Sequence, residues 1–273
     1  MATTSERQHR IGIAGLGTIG KALAQALHQG VPGAALAAVS TRNQQAARDW
    51  LQQAGIAAEV VPLQALAQHC DIVVECAPAA IFGDIARPVL EAGKQLVVLS
   101  SGALLDHPDV IDLAARTGGR ILVPTGALLG LDALNAAAQG TIHSVTMVTR
   151  KPVKGLLGAP YLAAHGIEIE GITEPLRIFA GSAREAIAGF PANVNVAVGL
   201  SLAGIGPDRT TMEIWADPGV TRNTHTITVD SDSAALSMTI ENIPSENPKT
   251  GRITARSAVA LLRKMSAPLA IGT

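Results

Sequence analysis

Residues 10–20 read Arg10-Ile11-Gly12-Ile13-Ala14-Gly15-Leu16-Gly17-Thr18-Ile19-Gly20: a short apolar run, then glycines in the spacing G-x-G-x-x-G, then a helical pattern through residues 21–30. In a strand–turn–helix unit each glycine answers a different need. Gly15 permits a tight turn, Gly17 lets the backbone approach a pyrophosphate, and Gly20 lets helix and strand close on each other. The start of the helix offers N–H groups and the positive end of its dipole to an anion, so Gly15, Gly17, Thr18, Ile19 and Gly20 are the expected phosphate contacts. The glycine pattern alone is weak. Its position after a strand and before a helix makes it a dinucleotide signal.

Outward from this turn the chain keeps a βα rhythm. Strands are expected at residues 35–40, 59–62, 72–75, 95–99 and 120–124, with helices at 44–54, 63–68, 80–92 and 108–117. Strands alternating with helices argue for right-handed crossovers and a doubly wound parallel sheet covered on both faces. After residue 129 the rhythm changes. A helix at 131–138 leads to an alternating strand at 143–150, a Gly/Pro-punctuated stretch (KPVKGLLGAP), helices at 183–188 and 193–203, and strands at 210–216, 224–230 and 234–241. Consecutive strands favour a mixed or antiparallel sheet. The fold class is therefore α/β: a Rossmann-type domain plus a second α+β domain with a mixed sheet. The expected boundaries are 1–128 for the dinucleotide-binding domain and 129–250 for the substrate and dimerisation domain. The last segment, 251–273, carries a helix at 254–264 that returns to the first domain.

Composition narrows the function. With 273 residues, 48% hydrophobic and 16% charged, the chain is globular and long enough for one or two cores. A net charge of −1 and 2% aromatic residues give no electrostatic or stacking basis for binding nucleic acid. Ala22-Leu23-Ala24 mimics a signal-peptidase site, but the glycine turn explains that region better. No apolar run reaches the ~18 residues of a membrane helix. Cys70 and Cys76 lack partners at zinc spacing and read as reduced thiols, so no metal is expected and a cytoplasmic location is.

The end of the second strand reads Val39-Ser40-Thr41-Arg42-Asn43. An NAD-specific domain usually carries a carboxylate there to bind the ribose. Ser40 and Thr41 are suited to hydrogen-bond a 2′-phosphate and Arg42 to neutralise it, so NADP is accepted, alone or beside NAD. The competing reading makes Arg42 a solvated loop cation. Ala77-Pro78, beyond the strand ending in Glu75, falls at the carboxyl edge of the sheet, where a cofactor would pass; Ser100-Ser101-Gly102 is the equivalent loop one strand later. Glu75 reads as a structural carboxylate.

Across its length the chain resembles the L-aspartate dehydrogenase family. The resemblance is carried by PTGALLGLDAL at 124–134, TRKP at 149–152, PANVNVA at 191–197, TRNTH at 221–225 and NPKTGRITARSAVALL at 247–262. It implies NAD- or NADP-linked oxidation of L-aspartate to iminoaspartate, which hydrolyses to oxaloacetate and ammonia. It also implies a homodimer and a link to NAD synthesis. By position it implies a catalytic role for His225 and cofactor contacts at Ala127 and Asn195. The family often has Ser-Gly-Ala where this chain has Thr125-Gly126-Ala127, a change that keeps the hydroxyl.

The residues themselves agree in part. Amine oxidation needs a group that manages a proton, a task that suits histidine. His225 alone among the seven histidines adjoins a polar cluster, Arg222-Asn223-Thr224, at the start of a strand. Position alone does not separate that role from a structural histidine. A dicarboxylate needs cationic or donating anchors. Arg150, Lys151, Lys154, Arg222, Asn223 and Thr224 are the candidates, Lys151 foremost of the lysines, although these lysines read equally as an exposed turn. Asn193 suits a helix N-cap. Homoserine dehydrogenase and dihydrodipicolinate reductase share the architecture, and a non-catalytic NADPH-binding sensor is the alternative from another class.

Overall fold

The computed structural model describes residues 8–191, 195–243 and 251–272. It divides into two compact units, one of residues up to Pro124 with Ala255–Ile271, the other centred on Thr125–Thr254.

The first unit holds β1 (His9–Ala14), α1 (Thr18–Gly30), β2 (Ala34–Ser40), α2 (Gln44–Gln53), β3 (Glu59–Val60) and α3 (Leu66–His69). These are followed by β4 (Ile72–Glu75), α4 (Phe82–Glu91), β5 (Gln95–Val98), α5 (Ala103–Asp106), α6 (Asp109–Thr117) and β6 (Arg120–Leu122). Its sheet is parallel, in the order β3-β2-β1-β4-β5-β6. The order reverses between β1 and β4, and ligands of such sheets bind beyond the carboxyl ends of the strands at that reversal. Both faces are apolar because successive residues point opposite ways. Val73, Leu96 and Val98 pack with Phe82, Ile85 and Val110 on one side. On the other, Ile11, Ile13, Ile72, Val74 and Val97 pack with Leu23, Leu27 and Leu51, joined by Ala258 and Leu262 of the last helix.

The second unit holds α7 (Leu131–Ala137), β7 (Ile142–Lys151), α8 (Pro160–His165), β8 (Leu176–Ser182), α9 (Ala183–Gly189) and α10 (Asn195–Ala203). After these come β9 (Thr210–Ala216), β10 (Asn223–Ser231), β11 (Ala235–Asn242) and α11 (Ile253–Ser266), which ends in the first unit. The sheet order is β11-β10-β7-β9-β8; β7 and β9 run parallel and the other pairs antiparallel. One face is buried: Val145, Met147, Met212, Ile214, Ile227 and Val229 pack against Leu134, Leu200 and Phe190.

β8 and α8 have no counterpart in the sequence reading. A register shift between Arg177 and Phe179 breaks the period-two alternation of β8, which lies at a sheet edge. α8 occupies two turns behind Pro160, a residue suited to the first helical position. Asn193 and most of the loop at 241–251 lie outside the described residues.

α1 meets β1 through Gly20, where a Cβ would collide with the Gly15 carbonyl oxygen. Gly20→Ala is expected to destabilise the protein by at least the ~1–3 kcal/mol of an overpacked core, because backbone and not a flexible side chain must yield. Urea unfolding of the variant against wild type measures this; an unchanged midpoint would show that the close approach is dispensable.

Candidate active site

At the carboxyl edge of the parallel sheet, Gly15 has φ +102°, a conformation that side chains disfavour. Gly17, the N-cap of α1, has a different reason: a Cβ there would meet no protein atom within 4 Å. No side chain caps α1, and its first turn carries no acidic residue. Thr18, Ile19 and Gly20 therefore form an N-terminus whose dipole no side chain offsets, a cradle fitted to a diphosphate. At the end of β2, Ser40 is buried and its carbonyl accepts from Gly15 N at 2.7 Å, while Thr41 is half-buried and Arg42 exposed. Asn43 caps α2 through a bond from Ala46 N at 3.1 Å.

Ala77 and Pro78 follow β4 beside this turn, and they are anchored by Glu75. That carboxylate is fully buried. It accepts from Ala77 N at 2.9 Å, Leu99 N at 3.2 Å, Ser100 N at 2.8 Å and Ser100 Oγ at 3.1 Å. Burial pushes its pKa up, and the four donors oppose that shift. Glu75 thus joins the loops after β4 and β5. The lone carboxylate ending the run Ile72-Val73-Val74-Glu75 was the signal for it.

In the second unit the polar residues gather on the covered sheet face. His225 lies across from Thr149 in the β7–β10 ladder, and their Nδ1 and Oγ1 atoms are 3.1 Å apart. Lys151 ends β7 two residues beyond Thr149 on the same face, and Asn223 stands two residues before His225. All four are buried. Asn223 pairs with Asn242 of β11, whose Nδ2 donates to the Ala127 carbonyl at 2.9 Å, bringing Ala127 to the same end of the sheet. Asn242 Oδ1 is buried without a hydrogen-bond partner. Asn195 opens α10 and is half-buried.

Burial, then the nearby charge of Lys151, pushes His225 down to about 3, and burial alone brings Lys151 down to about 8. At neutral pH the face therefore carries an uncharged imidazole next to a mostly protonated ammonium.

The structure separates other candidates from this face. Lys151 is strand and core, not the exposed turn that its Gly/Pro-rich surroundings suggested. Thr224 falls on the opposite face by strand alternation, as does Arg150, which pairs with Asp217 at 3.1 Å and lies over Trp215 at 4.7 Å. Arg222 is exposed and paired with Glu241 at 3.5 Å. Lys154 is exposed. Thr149 and Asn242 were missed; period-two alternation back from Lys151 would have found the first.

Residues 132–265 match the family model described as aspartate dehydrogenase, C-terminal, and residues 15–124 match homoserine dehydrogenase, NAD binding domain. The L-aspartate dehydrogenase 3 of Bordetella bronchiseptica is 59% identical, over 99% of this chain and 100% of that protein. The L-aspartate dehydrogenase of Bradyrhizobium diazoefficiens is 56% identical, over 99% and 96%. This chain belongs to the L-aspartate dehydrogenase family. In keeping with that, the crystal structure of aspartate dehydrogenase from Thermotoga maritima shares the fold, with TM-score 0.71 at 22% identity, over 97% of this chain and 100% of that one. As an L-aspartate dehydrogenase family member the chain is an oxidoreductase, and its cofactor is NAD or NADP. Among the described residues no cluster of His, Cys, Asp or Glu is placed to hold a metal, and no helix is long and apolar enough to cross a membrane.

The depressed basicity of His225 links folding to pH. The imidazole takes up a proton near pH 6.5 when unfolded but only near 3 when folded, so between these values the unfolded chain binds the extra proton. Stability then falls on acidification by ~1.4 kcal/mol per pH unit for this one group. Urea titrations between about pH 4.5 and 6 are expected to show a slope one proton shallower in His225→Gln than in wild type. Equal slopes would mean that the folded imidazole titrates normally.

Proposed function

We propose that this protein catalyses the NAD(P)-dependent oxidation of L-aspartate to iminoaspartate, which water converts to oxaloacetate and ammonia, and the reverse reaction. The observation carrying this reading is the burial of His225 and Lys151 on one sheet face, with Thr149 against the imidazole, in a chain of this family. A bound nicotinamide would supply the hydride acceptor.

The protein's own groups do the rest. The amides at the start of α1 hold the diphosphate with Gly15, Gly17, Thr18, Ile19 and Gly20. Ala77, Pro78, Ala127 and Asn195 complete the cofactor contacts. Lys151 and Asn223 receive a substrate carboxylate, the first by charge and the second by hydrogen bonding. His225, neutral at physiological pH, takes a proton from the substrate amine or from the water that attacks the imine. A carboxylate set against Lys151 offsets the charge that helps hold His225 down, so binding of the substrate raises the basicity of the imidazole. Thr224 and Arg222 have no part in this reading.

The unit of residues up to Pro124 with Ala255–Ile271 serves as the dinucleotide-binding domain, and the unit centred on Thr125–Thr254 as the substrate and dimerisation domain. The resemblance supports a cytoplasmic homodimer whose iminoaspartate feeds NAD synthesis.

Reduction of NAD or NADP, followed by absorbance, is expected with L-aspartate and not with L-glutamate, L-alanine or L-homoserine. His225→Ala should lower kcat by ~100- to 10,000-fold in a folded protein, and Lys151→Met should act mainly on the KM for aspartate. Cofactor binding without turnover of any of these substrates would favour the sensor instead.

Ser40, Thr41 and Arg42 receive the 2′-phosphate of NADP, so that cofactor is accepted, alone or beside NAD. Arg42→Ala is expected to raise the KM for NADP by ~10-fold or more while sparing NAD. An unchanged NADP preference would leave Arg42 as an ordinary surface cation.

A further inference from the structure

We propose that Thr149 is a positioning residue for the reaction: its hydroxyl occupies Nδ1 of His225, fixes the plane of the ring and reserves Nε2 for the substrate. This rests on the reading of His225 given above. No role attaches to Thr149 from the TRKP segment itself, and the geometry supplies one.

Thr149 is fully buried and is the direct cross-strand partner of His225. Directly opposed residues in an antiparallel pair bring their Cβ atoms within ~5 Å, and the 3.1 Å contact between Oγ1 and Nδ1 follows from that register. The β-branched side chain of threonine is restricted about its first torsion, so the hydroxyl is a stiff marker against which the ring is set. The rest of the row is apolar. Ile240 flanks His225 across β10–β11, and Ile214 flanks Thr149 across β7–β9. Neither offers the imidazole an alternative hydrogen-bond partner.

The choice of a hydroxyl has chemical consequences. Histidines that act as bases are commonly oriented by a carboxylate, which also stabilises the charged ring and raises its pKa. Threonine orients without adding charge, so the imidazole stays neutral beside Lys151. A hydroxyl donates or accepts as required. When Nε2 carries the proton, Oγ1 donates to Nδ1. When Nδ1 carries it, Oγ1 accepts, and Nε2 is left as the base. The ring keeps its orientation through both states, which a fixed donor or acceptor would not permit.

The test compares wild type, Thr149→Val, Thr149→Ser and His225→Ala. Valine keeps the shape of threonine and removes the hydroxyl; serine restores it. Thr149→Val is expected to lower kcat by ~10- to 100-fold with the KM for aspartate changed less than ~3-fold, and serine should recover most of the loss. Nitrogen-15 NMR of the histidine side chains should show a hydrogen-bonded Nδ1 for His225 in wild type, with that signature lost in the valine variant. The proposal is overturned if Thr149→Val keeps kcat within about twofold of wild type while His225→Ala does not, or if serine does no better than valine. Activity retained by His225→Ala would instead remove the reading of His225 itself. Should the valine variant fail to fold, the wild-type spectrum still decides, since an Nδ1 without a hydrogen bond would overturn the proposal.

Discussion

The contact between α1 and the turn that precedes it is the constraint on which the first unit depends. Helix and strand come together only because Gly20 has no Cβ to set against the Gly15 carbonyl. That approach leaves the uncapped N-terminus of α1 at the point where the strand order reverses. The same carboxyl edge is tied laterally by Glu75, which converts two loops with orphan amides into one hydrogen-bonded unit. A buried carboxylate is costly unless donors surround it, and here four do. The exposed amides at this edge are thus set by backbone geometry, with Glu75 as its brace.

The second unit applies a related logic to a sheet face. Val145, Met147, Ile227 and Val229 make the covered side of β7 and β10 apolar, and continuing the alternation along both strands brings Thr149, Lys151, His225 and Asn223 onto that same side. Position along the strand, not a change of fold, turns apolar core into the candidate site. Packing toward one end of the sheet is replaced by hydrogen bonding and charge at the other, so the polar groups inherit the rigidity of the sheet. Residues carried on regular strands keep their spacing better than residues on loops, which suits a reaction that needs fixed distances.

How much of this was legible from the residues differs between the halves. The parallel sheet and the glycine turn were readable because βα alternation and G-x-G-x-x-G are local signals, each contained in a few residues. Thr210–Ala216 emerged in full because its alternation is undisturbed. β8 did not, because its bulge erases the alternation that identifies a strand. For the site, the TRNTH segment drew attention to His225 but grouped it with Arg222 and Thr224, its neighbours in sequence. On a strand, neighbours in sequence point apart and neighbours in register point together. Thr149 and Asn242, 76 and 17 residues from His225 in the chain, therefore belong to it, and Thr224 does not. No reading of a single segment yields register across three strands.

The pairing of Lys151 with His225 is, on its face, unfavourable: two groups that each prefer to be cationic share a region with little water. Burial lowers both, and the lysine lowers the histidine further. Of the two, the stronger base keeps the proton, so the arrangement assigns the charge to Lys151 and neutrality to His225. On the function proposed above, a substrate carboxylate would be set against this ammonium. In the proposed site such a carboxylate would lower the electrostatic load on the imidazole, and so would couple recognition of the acid group to the basicity of His225.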